Sequence, residues 1–189
     1  VRFLRSDNEE GIVKDKTIVD ILQRRGILFL SSASNTPAQN GRAERSGNVI
    51  NNYSRCIRYQ TKFPESMWGE IKRLSCYLLN RTPRRALQGK TPLEIVYGER
   101  PNLSHLKPPG CKAFYLLKGK NAPLRQAKPR ERSAIGYLIG YEGGNKYRVW
   151  SPVLNKVIVI RDVILNENET YNPKKSLDDP ILISNKFDL

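Results

Sequence analysis

The spacing of apolar residues changes character once along this chain, across residues 98–110. Upstream, Met67, Trp68, Ile71, Leu74, Leu78 and Leu79 recur at three and four positions. That is the stripe of an amphipathic helix packed on a core. Downstream, the runs 111–117, 134–141, 147–150 and 157–163 are short and rich in β-branched and aromatic residues. Turn signals such as Glu142-Gly143-Gly144-Asn145 and Ser151-Pro152 separate them, so a small β-barrel is expected. The segment between carries Pro101, Pro108 and Pro109 and little periodicity. A first domain is therefore expected over 1–97, a linker over 98–110, a barrel over 111–165 and a flexible polar tail over 166–189.

The first domain reads as α/β. Residues 1–5 alternate as a half-buried strand does. Ile18, Val19, Ile21 and Leu22 form a helical stripe that Gly26 ends, and Ile27 to Leu30 is a short buried strand. A Ser-, Asn- and Gly-rich loop over 31–41 precedes a helix over about 42–59, with Asn40 as the expected N-cap. Phe63-Pro64 breaks that helix. Thr91-Pro92 opens one more short helix, which closes at Gly98.

Charge narrows the function. Lys and Arg number 33 against 18 acids, a formal net charge of +15. Such a chain attracts polyanions, and nucleic acid is the commonest. The basic residues are spread through the sequence, which disfavours a membrane surface. Cys56, Cys76 and Cys111 stand far apart and His105 is the one histidine. A closely grouped zinc site is thereby disfavoured, and reduced thiols of an intracellular protein are expected.

Two acids stand out by position. Asp7 follows the first strand, and Glu44 lies near the start of the helix after the loop. Strand ends and helix N-termini are where α/β sheets place functional carboxylates. Two carboxylates in one pocket make a hard oxygen site suited to Mg²⁺. Equally, Asp7 reads as a turn residue and Glu44 as a solvated first-turn residue.

The wording around these acids is more specific. Leu4-Arg5-Ser6-Asp7-Asn8 and Thr36-Pro37-Ala38-Gln39-Asn40-Gly41-Arg42-Ala43-Glu44-Arg45 resemble the segments of copia-type LTR retrotransposon integrases that carry the second catalytic Asp and the catalytic Glu. Tyr77-Leu78-Leu79-Asn80-Arg81-Thr82-Pro83 and Thr91-Pro92-Leu93-Glu94 resemble the end of that core. Gly110-Cys111-Lys112-Ala113, Gly136-Tyr137-Leu138-Ile139-Gly140-Tyr141, Tyr147-Arg148-Val149-Trp150 and Arg161-Asp162-Val163 resemble the SH3-like domain that follows it.

The resemblance implies part of a ribonuclease-H-like core followed by an SH3-like β-barrel. It implies DNA integration by metal-dependent strand transfer, in the nucleus, with Mg²⁺ or Mn²⁺. Asp7 and Glu44 would be two of three metal-binding carboxylates. The family's first catalytic Asp has no counterpart here, so strand transfer by these residues alone is not expected, and the chain reads as part of a longer protein. The implied partners are DNA (LTR ends and target) and, as a second polyanion, RNA. No membrane is implied, and an oligomer is expected of the parent integrase. Phosphate contacts are expected from Asn40, Arg45, Arg55, Arg58 and Arg81 in the core. Lys112, Lys118, Lys120, Arg125, Lys128 and Arg130 are the expected contacts in the barrel.

Glu9-Glu10 after Asp7-Asn8, and Gly47 and Asn48 after the Glu44 turn, depart from the family's pattern. The alternative readings are a non-catalytic nucleic-acid-binding module and a protein-interaction relic. Tyr137, Tyr141, Tyr147 and Trp150 alternate with aliphatic residues and are expected mostly in the core.

Overall fold

A computed structural model describes residues 3–6, 16–31, 37–116 and 133–174. The chain forms two compact units, Val1–Val49 and Ile50–Leu189.

In the first unit, β1 (Phe3–Ser6), α1 (Lys16–Arg24) and β2 (Leu28–Ser31) follow the expected strand, helix, strand order. The strands pair in parallel, Phe3 opposite Leu28 and Ser6 opposite Ser31. Parallel pairing needs a crossover, and α1 lies in it. Gly26 ends α1 at φ +62°, where an L side chain would be strained. Helix α2 (Pro37–Thr61) begins in this unit. It starts earlier than expected, so Asn40 lies inside the helix and is not its N-cap. The reason is local: proline suits the first helical position, where its missing N–H has no partner to lose.

The described residues of this unit bury little. Phe3 is 57% exposed and Leu28 62%. Among the described residues, none before Ser54 is buried. Two paired strands alone are marginal in water. Amide hydrogens of β1 and β2 are therefore expected to exchange much faster than those of the second unit's sheet. Equal protection in the two units would contradict this.

The second unit is helix on sheet. The rest of α2 leads through a 3₁₀ turn at Glu65–Met67 into α3 (Trp68–Leu79), and α4 (Pro92–Tyr97) follows a second 3₁₀ turn at Arg85–Leu87. The start and stop of α4 are as expected. Thr91 Oγ1 accepts from the Glu94 N–H at 3.0 Å, Pro92 opens the helix, and Gly98 closes it at φ +79°.

The sheet has five antiparallel strands, β3 (Cys111–Leu116), β4 (Ser133–Tyr141), β5 (Tyr147–Ser151), β6 (Lys156–Ile160) and β7 (Val163–Thr170), in the order β6-β5-β4-β3-β7. This sheet fits the SH3-like expectation. Strand β4 is central, and the consecutive residues Tyr137, Leu138 and Ile139 are all buried, so both its faces are covered.

Two expectations about domain limits change. The segment 98–110 does not separate two cores. Ile57 of α2, Phe63, and Ile71 and Leu74 of α3 share one buried cluster with Tyr137, Ile139, Tyr141 and Trp150 of the sheet. The apolar stripe of α3 finds its partner in β4, across the prolines. Nor does the barrel stop at residue 165. Strand β7 runs to Thr170, and Tyr171 stacks on Phe63 at 5.7 Å and meets Trp150 edge-on at 5.0 Å. Residues 175–189 of the expected tail lie outside the described residues. Tyr137, Tyr141 and Trp150 are buried, as expected of core residues.

Helices α2 and α3 meet through small residues. Ser54 Oγ and Ser75 Oγ, both fully buried, lie 2.9 Å apart. Each also donates to the carbonyl four residues earlier in its own helix. Small side chains let the two backbones approach closely without leaving a hydroxyl unsatisfied.

Candidate nucleic-acid interface

The expected site residues fall into three groups. Asp7 and the five basic residues Lys118, Lys120, Arg125, Lys128 and Arg130 lie outside the described residues. Asn40 is in the first turn of α2, and its side chain is outside them too.

The second group lies on α2. Glu44, Arg45 and Arg55 are exposed, while Arg58 is half-exposed and 3.7 Å from Glu65. The buried side of this helix carries Ser54, Ile57 and Thr61. Asn52, Arg55 and Tyr59 fall on the opposite side, which follows from 3.6 residues per turn. Tyr59 is 88% exposed.

The third group is Arg81 and Lys112. Lys112 is 13% exposed and pairs with Glu169 at 3.1 Å, beneath which the Phe114 ring lies 5.7 Å away. Its charge is engaged within the protein by that pair. The cause is β7, whose extension past residue 165 brings Glu169 alongside. Arg81 lies flat on Tyr77, its guanidinium carbon 3.4 Å from the ring centroid, and its NH1 donates to the Tyr77 carbonyl at 3.1 Å. Its Nε is buried and has no hydrogen-bond partner.

Other cations are also occupied. Arg148 grips Glu70 of α3 with two bonds, Nε to Oε2 at 2.8 Å and NH2 to Oε1 at 2.6 Å, and reaches Glu142 at 3.0 Å. Arg73 joins the same Glu142 at 2.7 Å. Hydrogen bonding to Glu70 raises the Arg148 pKa, more than offsetting its burial. Lys107 pairs with Glu167 at 2.6 Å. Apart from Glu142, which lies six residues before Arg148, the partners in these pairs are distant in sequence, and no local motif signals them.

Arg81 belongs to a small polar cluster. The Tyr77 hydroxyl donates to the Gly143 carbonyl at 3.1 Å and lies 2.8 Å from His105 Nε2. Burial and then the Arg81 charge lower the His105 pKa. Burial likewise pushes the Tyr141 hydroxyl up to about 12, and that hydroxyl donates to the Lys107 carbonyl. Burial holds the Cys111 thiol at about 11, which leaves it protonated and unreactive at neutral pH.

The His105 shift has a sign. A base whose folded pKa lies below its unfolded value binds fewer protons when folded. Stability is then complete above the unfolded pKa near 6.5 and is lost as pH falls toward the folded pKa. The melting temperature is expected to drop as pH falls below about 6.5, before the usual carboxylate range is reached. His105→Gln should flatten that slope, since the chain has one histidine. An unchanged slope would contradict the assignment.

A metal site is not assembled by what is described. Among the described residues no group of three or more His, Cys, Asp or Glu side chains converges to hold an ion. Of the two expected carboxylates only Glu44 is described, and it is exposed. Among the described residues, no helix is long and apolar enough to cross a membrane.

Relatives were found along most of the chain. Residues 111–180 match the family described as the retroviral polymerase SH3-like domain. The chain is 36% identical over 173 residues to the Retrovirus-related Pol polyprotein from transposon TNT 1-94 of Nicotiana tabacum, a match covering 89% of this chain and 12% of that polyprotein. It is 29% identical over 136 residues to the Pol polyprotein from transposon RE2 of Arabidopsis thaliana, covering 72% of this chain and 9% of the relative. The chain thus spans about a tenth of the length of the curated relatives it matches. With a five-stranded antiparallel sheet over the residues that match the SH3-like family, and likeness to transposon polyproteins on both sides of residue 110, the chain is similar over most of its length to a segment of the Pol polyproteins of plant copia-type retrotransposons.

Proposed function

We propose that this chain is the later part of the integrase region of such a polyprotein, a partial ribonuclease-H-like core joined to its SH3-like domain. Its role is to hold DNA during integration, in the nucleus. One observation carries the reading: the likeness to the Pol polyproteins runs over 173 residues, well beyond the SH3-like domain, and takes in residues of both units. The +15 charge and the exposed Arg45 and Arg55 support a polyanion partner.

In this reading Asp7 and Glu44 supply two carboxylates for Mg²⁺ or Mn²⁺ in the parent protein. The ion would activate a nucleophile and stabilise the leaving oxygen of a phosphodiester. With no counterpart of the family's first Asp, residues 1–189 bind nucleic acid and do not join strands by themselves. RNA is a second ligand by the same charge, and oligomerisation belongs to the parent protein.

The test uses LTR-end DNA. The purified chain is expected to shift the DNA in a gel at low salt, with the shift unchanged by Asp7→Asn and Glu44→Gln. No strand-transfer product is expected with Mg²⁺ or Mn²⁺. Robust strand transfer would overturn the division between binding and catalysis, and absence of any shift would overturn the reading as a whole.

A further inference from the structure

Two clefts of about 500 and 440 Å³ open between the turn after α3, helix α4 and the segment 99–105. They share the walls Arg81, Arg100 and Pro101. Clefts of this size hold ligands as large as a nucleotide.

Three observations describe what such a ligand would be. First, Arg81 is held in place before any ligand arrives, flat on Tyr77 and tied to its carbonyl, yet its buried Nε has no acceptor. A buried N–H of this kind is rarely left unsatisfied. Second, positive charge is in excess. Arg81, Lys90 and Arg100 line the clefts against Glu94 and Glu99, and Arg84 and Arg85 adjoin them in sequence. Arg100 is 90% exposed and only 3.7 Å from Glu94, a loose pair that a phosphate would outcompete. Third, Tyr97 lines the larger cleft and is 73% exposed, although it is the last residue of a helix whose other end is well capped. A large ring left in water beside paired arginines is the arrangement that stacks a base while its phosphate is held.

We propose that this double cleft is a binding site for single-stranded nucleic acid, with Arg81 and Arg100 holding a backbone phosphate and Tyr97 stacking the adjoining base. A duplex keeps its bases stacked on one another and does not offer a face to Tyr97. An acidic peptide would satisfy the arginines but gives no use to the exposed ring. The proposal rests on the reading of the chain as a nucleic-acid binder and locates one place where that binding occurs.

The probe is a labelled oligo-dT of about 12 nucleotides, within the usual site size for single strands, titrated against the full chain by fluorescence anisotropy. Tyr97→Ala is expected to weaken binding on the order of tenfold, the loss of one stacked base. Arg100→Ala should lower the slope of log Kd against log salt by about 0.7, the loss of one phosphate contact on a single strand. Arg81→Lys keeps the charge but removes Nε and the planar fork, and should weaken binding as well. Tyr97 and Arg100 are exposed, so their replacement leaves the fold intact if Arg81→Lys does not. Lys156→Ala, an exposed cation on β6, is the control for general charge loss.

If Tyr97→Ala binds as the unaltered chain does, and Arg100→Ala loses no more than Lys156→Ala, the site is overturned while nucleic-acid binding stands. If the unaltered chain fails to bind any nucleic acid at low salt, the underlying reading fails and the site with it. Displacement of the oligonucleotide by poly-glutamate, together with indifference to Tyr97→Ala, would make the occupant an acidic peptide and also overturn the proposal.

Discussion

Replacing Arg148 with Ala is expected to destabilise the second unit by about 3 kcal/mol, the lower end for breaking a buried ion pair. Arg148 is 13% exposed, Glu70 26% and Glu142 39%, so solvent screens the acids only in part. The loss is large because the variant leaves Glu70 on α3 with its desolvation and without its partner. It also cuts the main polar tie between α3 and the β4–β5 hairpin. A thermal melt should fall by about 10 °C, given the entropy of unfolding of a unit this size. A double-mutant cycle with Glu70→Gln should show that the two losses are far from additive. Additive losses would mean that the residues act independently.

Gly136→Ala is expected to cost a similar amount, about 3 kcal/mol, at the upper end of the usual range for overpacking. A Cβ at Gly136 would lie 2.5 Å from Val149 Cγ1 and 2.7 Å from the Trp150 carbonyl oxygen. The second contact is with backbone, so β4 and β5 must separate to relieve it. Gly140 gives the contrast within the same strand. Its nearest neighbour would be Arg148 Cδ at 3.2 Å, which can yield slightly, so Gly140→Ala should cost less. Gly143 has open space but φ +74°, so Gly143→Ala should cost about 1 kcal/mol from backbone strain alone. Denaturant midpoints for the three variants should rank in that order, and a Gly136→Ala protein as stable as Gly143→Ala would contradict the packing at β4.

What the sequence made legible was local. Thr91-Pro92 and Gly98 carry the chemistry of both ends of α4, and the apolar run Gly136 to Tyr141 announces a strand. The stripe at Ile71, Leu74 and Leu78 showed that α3 buries one face. It did not show against what, because periodicity records a buried face and not its partner. The partner turned out to be β4, beyond three prolines, and so the expected boundary at 98–110 was drawn through a continuous core. Strand β7 was cut short for a related reason. Asn166, Glu167, Asn168 and Glu169 look like a solvated tail, yet they sit on the sheet's edge strand, where polar side chains face water and Lys107 and Lys112 meet them.

The candidate site divides in the same way. The Asp7 and Glu44 segments carry the family resemblance in sequence, but Asp7 lies outside the described residues, and Glu44 is exposed. The cleft at Arg81, Tyr97 and Arg100 had only the Asn80-Arg81-Thr82-Pro83 run as a signal. Its walls come from three separate elements, and only the fold brings them together.

The central claim is that this segment of a Pol polyprotein holds nucleic acid through its surplus positive charge. The most direct measurement is the affinity of the purified 189-residue chain for LTR-end DNA across a salt series. A straight line of log Kd against log salt with a slope of magnitude about 3 or more is expected, reflecting several phosphates neutralised at once. No binding at about 50 mM salt, or binding indifferent to salt, would contradict the claim.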